Sequence, residues 1–187
     1  MTGDLPFPLT GTTLLTGVSN VGKTRLTARA LDTWIRQHGP RGVVVLDFGP
    51  EYEHEGRLLG RRLTRFTDVP DEAWYGVVDA RAPRAESDTE AELVRLASDN
   101  ADCVRRLLAS APTAPVAVFV NDTTIGFQHE SGDIDRLLDY CDTADVAVLN
   151  AFESDELGID DPVSRQERTA LERLEKWADR TLRLEGE

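Results

Sequence analysis

Three short runs of unbroken apolar residues constrain this chain more than any other feature: Val43-Val44-Val45-Leu46, Val116-Ala117-Val118-Phe119-Val120 and Val146-Ala147-Val148-Leu149. A run of four or five apolar residues without alternation leaves no polar face for water, so each reads as a strand buried on both sides of a parallel sheet. The segments between them have helical spacing. Residues 25–37 repeat Leu26, Ala30, Leu31 and Trp34, and residues 88–111 repeat Leu93, Leu96, Ala97, Val104, Leu107 and Leu108 on one stripe. A shorter helix is expected over 133–141, and another from Ser164 carrying Leu171, Leu174 and Trp177. Ser87 with Glu90, and Ser164 with Glu167, have capping-box spacing. Residues 12–16 and 74–79 read as further strands, 57–63 as a short helix and 181–184 as a closing edge strand. Helices alternating with fully apolar strands predict one α/β domain over 1–187, a three-layer fold with a mainly parallel sheet.

Ligands of such sheets bind where the strands end, at their carboxyl edge. Those positions hold Gly17, Asp47, Asn121-Asp122 and Asn150, where polar residues interrupt the apolar runs. The formal net charge of -13 makes nucleic acid an unlikely partner, because a polyanion needs a basic surface to displace its counterions. Lys23 and Lys176 are the only lysines against 19 arginines, an acidic, lysine-poor composition that resembles proteins of salt-loving microbes. No stretch approaches the roughly 20 apolar residues of a membrane span, and residues 1–9 lack a basic start and an apolar signal core, so a cytoplasmic protein with no membrane partner is expected. Cys103 and Cys141 have no metal-binding spacing and His38, His54 and His129 are isolated, so neither zinc nor a disulfide framework is suggested.

Between the first strand and the first helix stands Gly17-Val18-Ser19-Asn20-Val21-Gly22-Lys23-Thr24, which fits G-x-x-x-x-G-K-[ST]. Glycines let successive N–H groups converge on phosphate oxygens, and the following helix adds unpaired N–H groups and the positive end of its dipole. Lys23 would reach the β- and γ-phosphates as a point charge, and the Thr24 hydroxyl would ligate Mg²⁺. The chain here resembles the P-loop NTPase superfamily. That resemblance implies the three-layer P-loop NTPase fold, a nucleoside triphosphate (ATP by default, GTP as the alternative) and Mg²⁺. It also implies a phosphate-binding set of Gly17, Ser19, Asn20, Val21, Gly22, Lys23, Thr24 and Arg25.

The same resemblance asks for an acid at the end of a neighbouring strand, and Val116 to Asp122 reads as that Walker B element. Two registers stay open. Asp122 holds the magnesium shell together with Thr24, or Asn121 takes that place and Asp122 orients the attacking water. Asp47, expected on a strand beside the loop, is a candidate base toward a γ-phosphate or else a strand-end cap. Arg57, Arg61, Arg62 and Arg65, and Arg165 and Arg168 after residues 158–162, are candidates for a lid or an arginine finger. The acidic stretch 51–55 reads as a solvated loop. Val120 to Phe127 and Ala144 to Asn150 are similar to segments of the adenosylcobinamide kinase/guanylyltransferase family, although the histidine that guanylyl transfer would need is not at the expected place after the second strand. Three functions follow: an ATP hydrolase with Lys23, Asp122 and Asp47 in the chemistry, a small-molecule kinase acting on an acceptor, and a non-hydrolysing nucleotide sensor with a protein partner.

Overall fold

Alternation of the inward-facing residues explains why the apolar runs have no polar face. On one side of the sheet Leu14, Val44, Leu46, Val118, Val120 and Leu149 pack together, and on the other Leu15, Val43, Val45, Phe119, Val146 and Val148 do so. Side chains along a strand point to opposite faces, so a sheet covered twice needs apolar residues at every position. The computed structural model describes residues 4–54, 56–155 and 159–186.

In chain order the elements are β1 (Gly11–Gly17), α1 (Lys23–His38), β2 (Val43–Asp47), a hairpin of β3 (Tyr52–His54) and β4 (Arg57–Leu59), β5 (Trp74–Val77), α2 (Pro83–Glu86), α3 (Glu90–Ser110), β6 (Ala117–Asn121), α4 (Ile134–Asp142), β7 (Val146–Phe152), α5 (Pro162–Trp177) and β8 (Arg180–Arg183). Single 3-10 turns lie at Leu63–Arg65 and Thr123–Phe127. Six strands form one sheet in the order β5-β2-β6-β7-β1-β8, every neighbouring pair parallel, while β3 and β4 pair antiparallel apart from it. Leu26, Leu31 and Trp34 of α1 cover one face; Val104 and Leu108 of α3, Leu137 and Leu138 of α4, and Leu174 of α5 cover the other. The architecture is therefore three-layer α/β.

Several local expectations need correction. The strand bearing Asp47 is not beside β1: β6 and β7 lie between them. Thr89, not Ser87, caps α3 by accepting from the Glu92 N–H, while the Ser87 hydroxyl turns back to the Pro83 carbonyl. Helix α5 begins at Pro162 with Asp161 as its cap, so Glu167 is released from the expected capping box and points inward. Proline suits that first turn because it has no N–H to leave unpaired. Residues 57–63 make a strand and the start of a 3-10 turn rather than a helix. Glu55, the side chains of His54 and Arg57, and residues 156–158 lie outside the described residues.

Candidate functional site

The loop between β1 and α1 is built by three residues with positive φ: Gly17 at 144°, Asn20 at 63° and Gly22 at 101°. At Gly17 a side chain is also impossible sterically, since a Cβ would overlap the carbonyl oxygen of Leu184, just past β8. The loop is pinned from both sides: the Leu184 N–H donates to the Thr16 carbonyl at 2.8 Å and the Glu153 N–H to the Gly17 carbonyl at 3.0 Å. Helix α1 then starts with no side-chain cap and no acidic residue in its first turn. Its leading N–H groups and dipole are left to whatever occupies the space in front, which favours an anion.

Lys23 is only 6% exposed. Its ammonium donates to the carbonyls of Gly17 at 2.8 Å and Val18 at 2.5 Å, folding back on the loop it follows. Burial lowers its pKa, and the negative charges of Asp122 and Glu153 oppose that shift. The lysine stands beside a cavity of about 850 Å³ lined by residues 19–25 and Asp122, so eight of the expected site residues surround one space. Gly17 shapes the loop from beneath without lining that space.

Asn121 and Asp122 part company at the end of β6. The Asn121 amide donates to Asp47 Oδ1 at 2.7 Å and to the Arg61 carbonyl at 2.6 Å, and its oxygen accepts from Asn150 Nδ2 at 2.9 Å. Asn150 Nδ2 also donates to the Thr27 hydroxyl, which in turn donates to the Lys23 carbonyl. Asn121 is thus spent in a buried polar chain beneath the cavity. Asp122 instead adopts the left-handed conformation, φ 52° and ψ 49°, with its N–H held by Asn150 Oδ1 at 2.9 Å. That kink brings its carboxylate to the cavity, where Oδ2 has no hydrogen-bond partner among the described residues. Desolvation pushes its pKa up to about 7, against the pull of Lys23 and with smaller pushes from Asp47 and Glu167.

Asp47 does not reach this space. It is fully buried, and its two oxygens accept from the N–H groups of Gly49 and Leu63, from Asn121 and from the Tyr75 hydroxyl. Burial raises its pKa while those donors hold it down. A carboxylate with four donors and no place in the cavity lining ties the segment after β2 to the turn at Leu63, to Tyr75 of β5 and to the end of β6; the structure gives it no access for a base.

The side of the cavity facing the loop is one that sequence reasoning missed. Glu167 Oε1 accepts from the Thr124 hydroxyl at 2.8 Å and Gln128 Nε2 at 3.0 Å, and its Oε2 pairs with Arg84 Nη2 at 2.6 Å. Arg84 also donates to the Ser164 hydroxyl, and its guanidinium lies 5.6 Å over the Phe152 ring. Arg61 also lines the cavity, and its buried Nε has no partner among the described residues. Among the arginines expected to form a lid, Arg65 pairs with Glu51, Arg168 with Asp155, and Arg165 with the Asp160 carbonyl. Only the interrupted capping box at Ser164 hinted that Glu167 had another use; Arg84 and Gln128 carried no signal of their own.

Compared with protein-family models, curated proteins and solved structures, the chain matches none.

Proposed function

We propose that this chain is a Mg²⁺-dependent P-loop protein that binds a nucleoside triphosphate, ATP by default, and hydrolyses it. The observation that carries the reading is the unpartnered Asp122 carboxylate, turned into the same cavity as Lys23, Thr24 and the open start of α1. An unpaired buried carboxylate is costly unless something positive is meant to meet it. Thr24 and Asp122 offer hard oxygen donors suited to Mg²⁺. Among the described residues no three metal-ligating side chains gather, so such an ion would draw its other ligands from phosphate oxygens and water. When bound, it would neutralise charge developing between the β- and γ-phosphates. The Lys23 ammonium would leave the Gly17 and Val18 carbonyls for phosphate oxygens, and Asp122 would hold the ion or the attacking water.

The commitment of the Asn121 amide to Asp47, Arg61 and Asn150 favours Asp122 over Asn121 for the metal role; a non-hydrolysing sensor, which would have Asn121 in that place, is the third reading. A kinase remains the second reading, favoured by the size of the cavity and by the Arg84 side, which extends past the loop. Asp122→Asn separates the two tasks of the carboxylate. Phosphate release from Mg·ATP is expected to fall about a hundredfold or more, the scale of lost general-base or metal assistance. If Mg²⁺-dependent ATP affinity falls with it, Asp122 holds the metal; if affinity stays, it orients water. A variant with normal turnover and affinity removes the proposal.

A further inference from the structure

The wall opposite the loop has its own charge and its own unmet hydrogen bonds. Lys23, Arg25, Arg61 and Arg84 line the cavity against only Asp122 and Glu167, a cationic space in a chain of net charge -13. A nucleotide on the loop engages Lys23 and the start of α1, which leaves Arg61 and Arg84 facing the remaining volume. Arg84 is preorganised: Glu167, Ser164 and the Phe152 ring fix its plane, while some of its five N–H donors stay unused. Arg61 Nε is a second buried donor with no partner. The same lining holds an acceptor. Gln128 is 2% exposed, and because its Nε2 is committed to the Glu167 carboxylate, its amide orientation is set and Oε1 is left unpartnered in the cavity lining.

One guanidinium held by its partners, a second with an unmet donor and one fixed acceptor describe a ligand with matching groups. We propose that this wall is a second subsite that binds a small hydroxylated organic anion, its carboxylate or phosphate held by Arg61 and Arg84 and a hydroxyl donated to Gln128 Oε1. The subsite needs no nucleotide, so it stands or falls separately from the hydrolase reading. Arg84 already has Glu167 as its countercharge, but a neutral molecule leaves the Arg61 guanidinium without one, and an anion lacking a hydroxyl leaves the Gln128 oxygen buried and unpaired.

Isothermal titration of the full chain, without nucleotide, tests this with D-glycerate as the probe and propionate and glycerol as partial mimics. Glycerate is expected to bind wild type and Lys23→Ala alike, propionate more weakly, and glycerol not at all. Arg61→Gln is expected to weaken glycerate by about tenfold or more. Arg84→Met combined with Glu167→Gln should do the same while removing the buried pair together, so that no lone charge is stranded. Gln128→Met should erase the preference for glycerate over propionate, and circular dichroism confirms that each variant is folded. No glycerate binding to wild type overturns the proposal, as does unchanged binding in Arg61→Gln and the double variant. Loss in Lys23→Ala alone also overturns it, because the anion would then sit on the loop. ATP titration of the same samples reads the nucleotide proposal independently.

Discussion

One side of the cavity comes from consecutive residues, 19–25, and the other gathers Arg61, Arg84, Gln128, Phe152 and Glu167 from five separate segments. The first side owes its form to local rules: positive φ at Gly17, Asn20 and Gly22, and a helix start left without a cap. The second exists only after the sheet has assembled. Its hydrogen bonds join residues 39 and 43 positions apart in Gln128–Glu167 and Thr124–Glu167, and its ion pair joins Arg84 to Glu167. A local wall is expected to lose function by single substitutions without losing the fold, and an assembled wall to couple function to stability.

The largest effect should fall on the local side. If the proposed function holds, Lys23→Ala is expected to weaken nucleoside triphosphate binding by about a hundredfold or more, since the charge that would meet phosphate is removed. Its melting temperature should move little, because only the two bonds to the Gly17 and Val18 carbonyls are lost. Calorimetric titration with Mg·ATP and Mg·GTP beside a thermal melt checks both halves; a variant that unfolds would erase the contrast.

Next in size is the floor beneath both sides. Asn121→Asp would set a carboxylate against Asp47 Oδ1, where an amide now donates at 2.7 Å. A destabilisation of about 3 kcal/mol is expected in urea unfolding, the range for breaking a buried polar network. An Asn121→Asp variant that is stable and binds Mg²⁺ more tightly would instead place the metal position at residue 121.

Asp122 links the two sides and should carry a pH signature. Its folded pKa, about 7, lies above the ordinary value of 3.8, so the folded state holds the proton more tightly than the unfolded chain. The stability this gives is complete below about pH 4 and is lost as pH rises through about 7. Asp122→Asn should therefore flatten the decline between those values, leaving the same-signed contribution of Asp47, whose pKa burial also raises. Denaturant midpoints across that range measure it, and an unchanged slope would mean that the Asp122 carboxylate is better solvated than its surroundings indicate.

The smallest expected effect is global. If the -13 charge is an adaptation to a salty interior, melting temperature rises by several degrees between 0.1 M and 2 M KCl as the Debye length shrinks to about 3 Å near 1 M. A flat or falling curve leaves genome composition as the reason for scarce lysine.

These contrasts mark what the sequence disclosed. The apolar runs became the central strands β2, β6 and β7, because burial on both faces writes itself into the strand positions; Val116, at the head of the second run, stays outside β6 and is 41% exposed. Gly17 to Thr24 lay between strand and helix as its spacing required. Sheet order was not legible: placing Asp47 beside the loop failed because β6 and β7 insert between β1 and β2, and nothing local encodes which strands become neighbours. Caps were misread where two hydroxyls or carboxylates competed within three residues, as with Ser87 against Thr89 and Ser164 against Asp161. Arg84 was hidden among 19 arginines, and only the fold separates a guanidinium pinned on Phe152 from one in solvent.

Strand β1 is made early by the ribosome and completed late. Its two neighbours are β7 and β8, so Thr13 pairs with Val148 on one side and Arg180 on the other. Contacts so distant in sequence slow folding, and both edges of β1 stay open until those segments have emerged. The Leu184 carbonyl that closes over Gly17, and the Leu184 N–H that holds Thr16, arrive after β8 itself. A growing chain thus has the glycines and lysine of the loop long before it has their shape. Nucleotide would act on the finished protein as a brake on unfolding, and not as a template for its assembly.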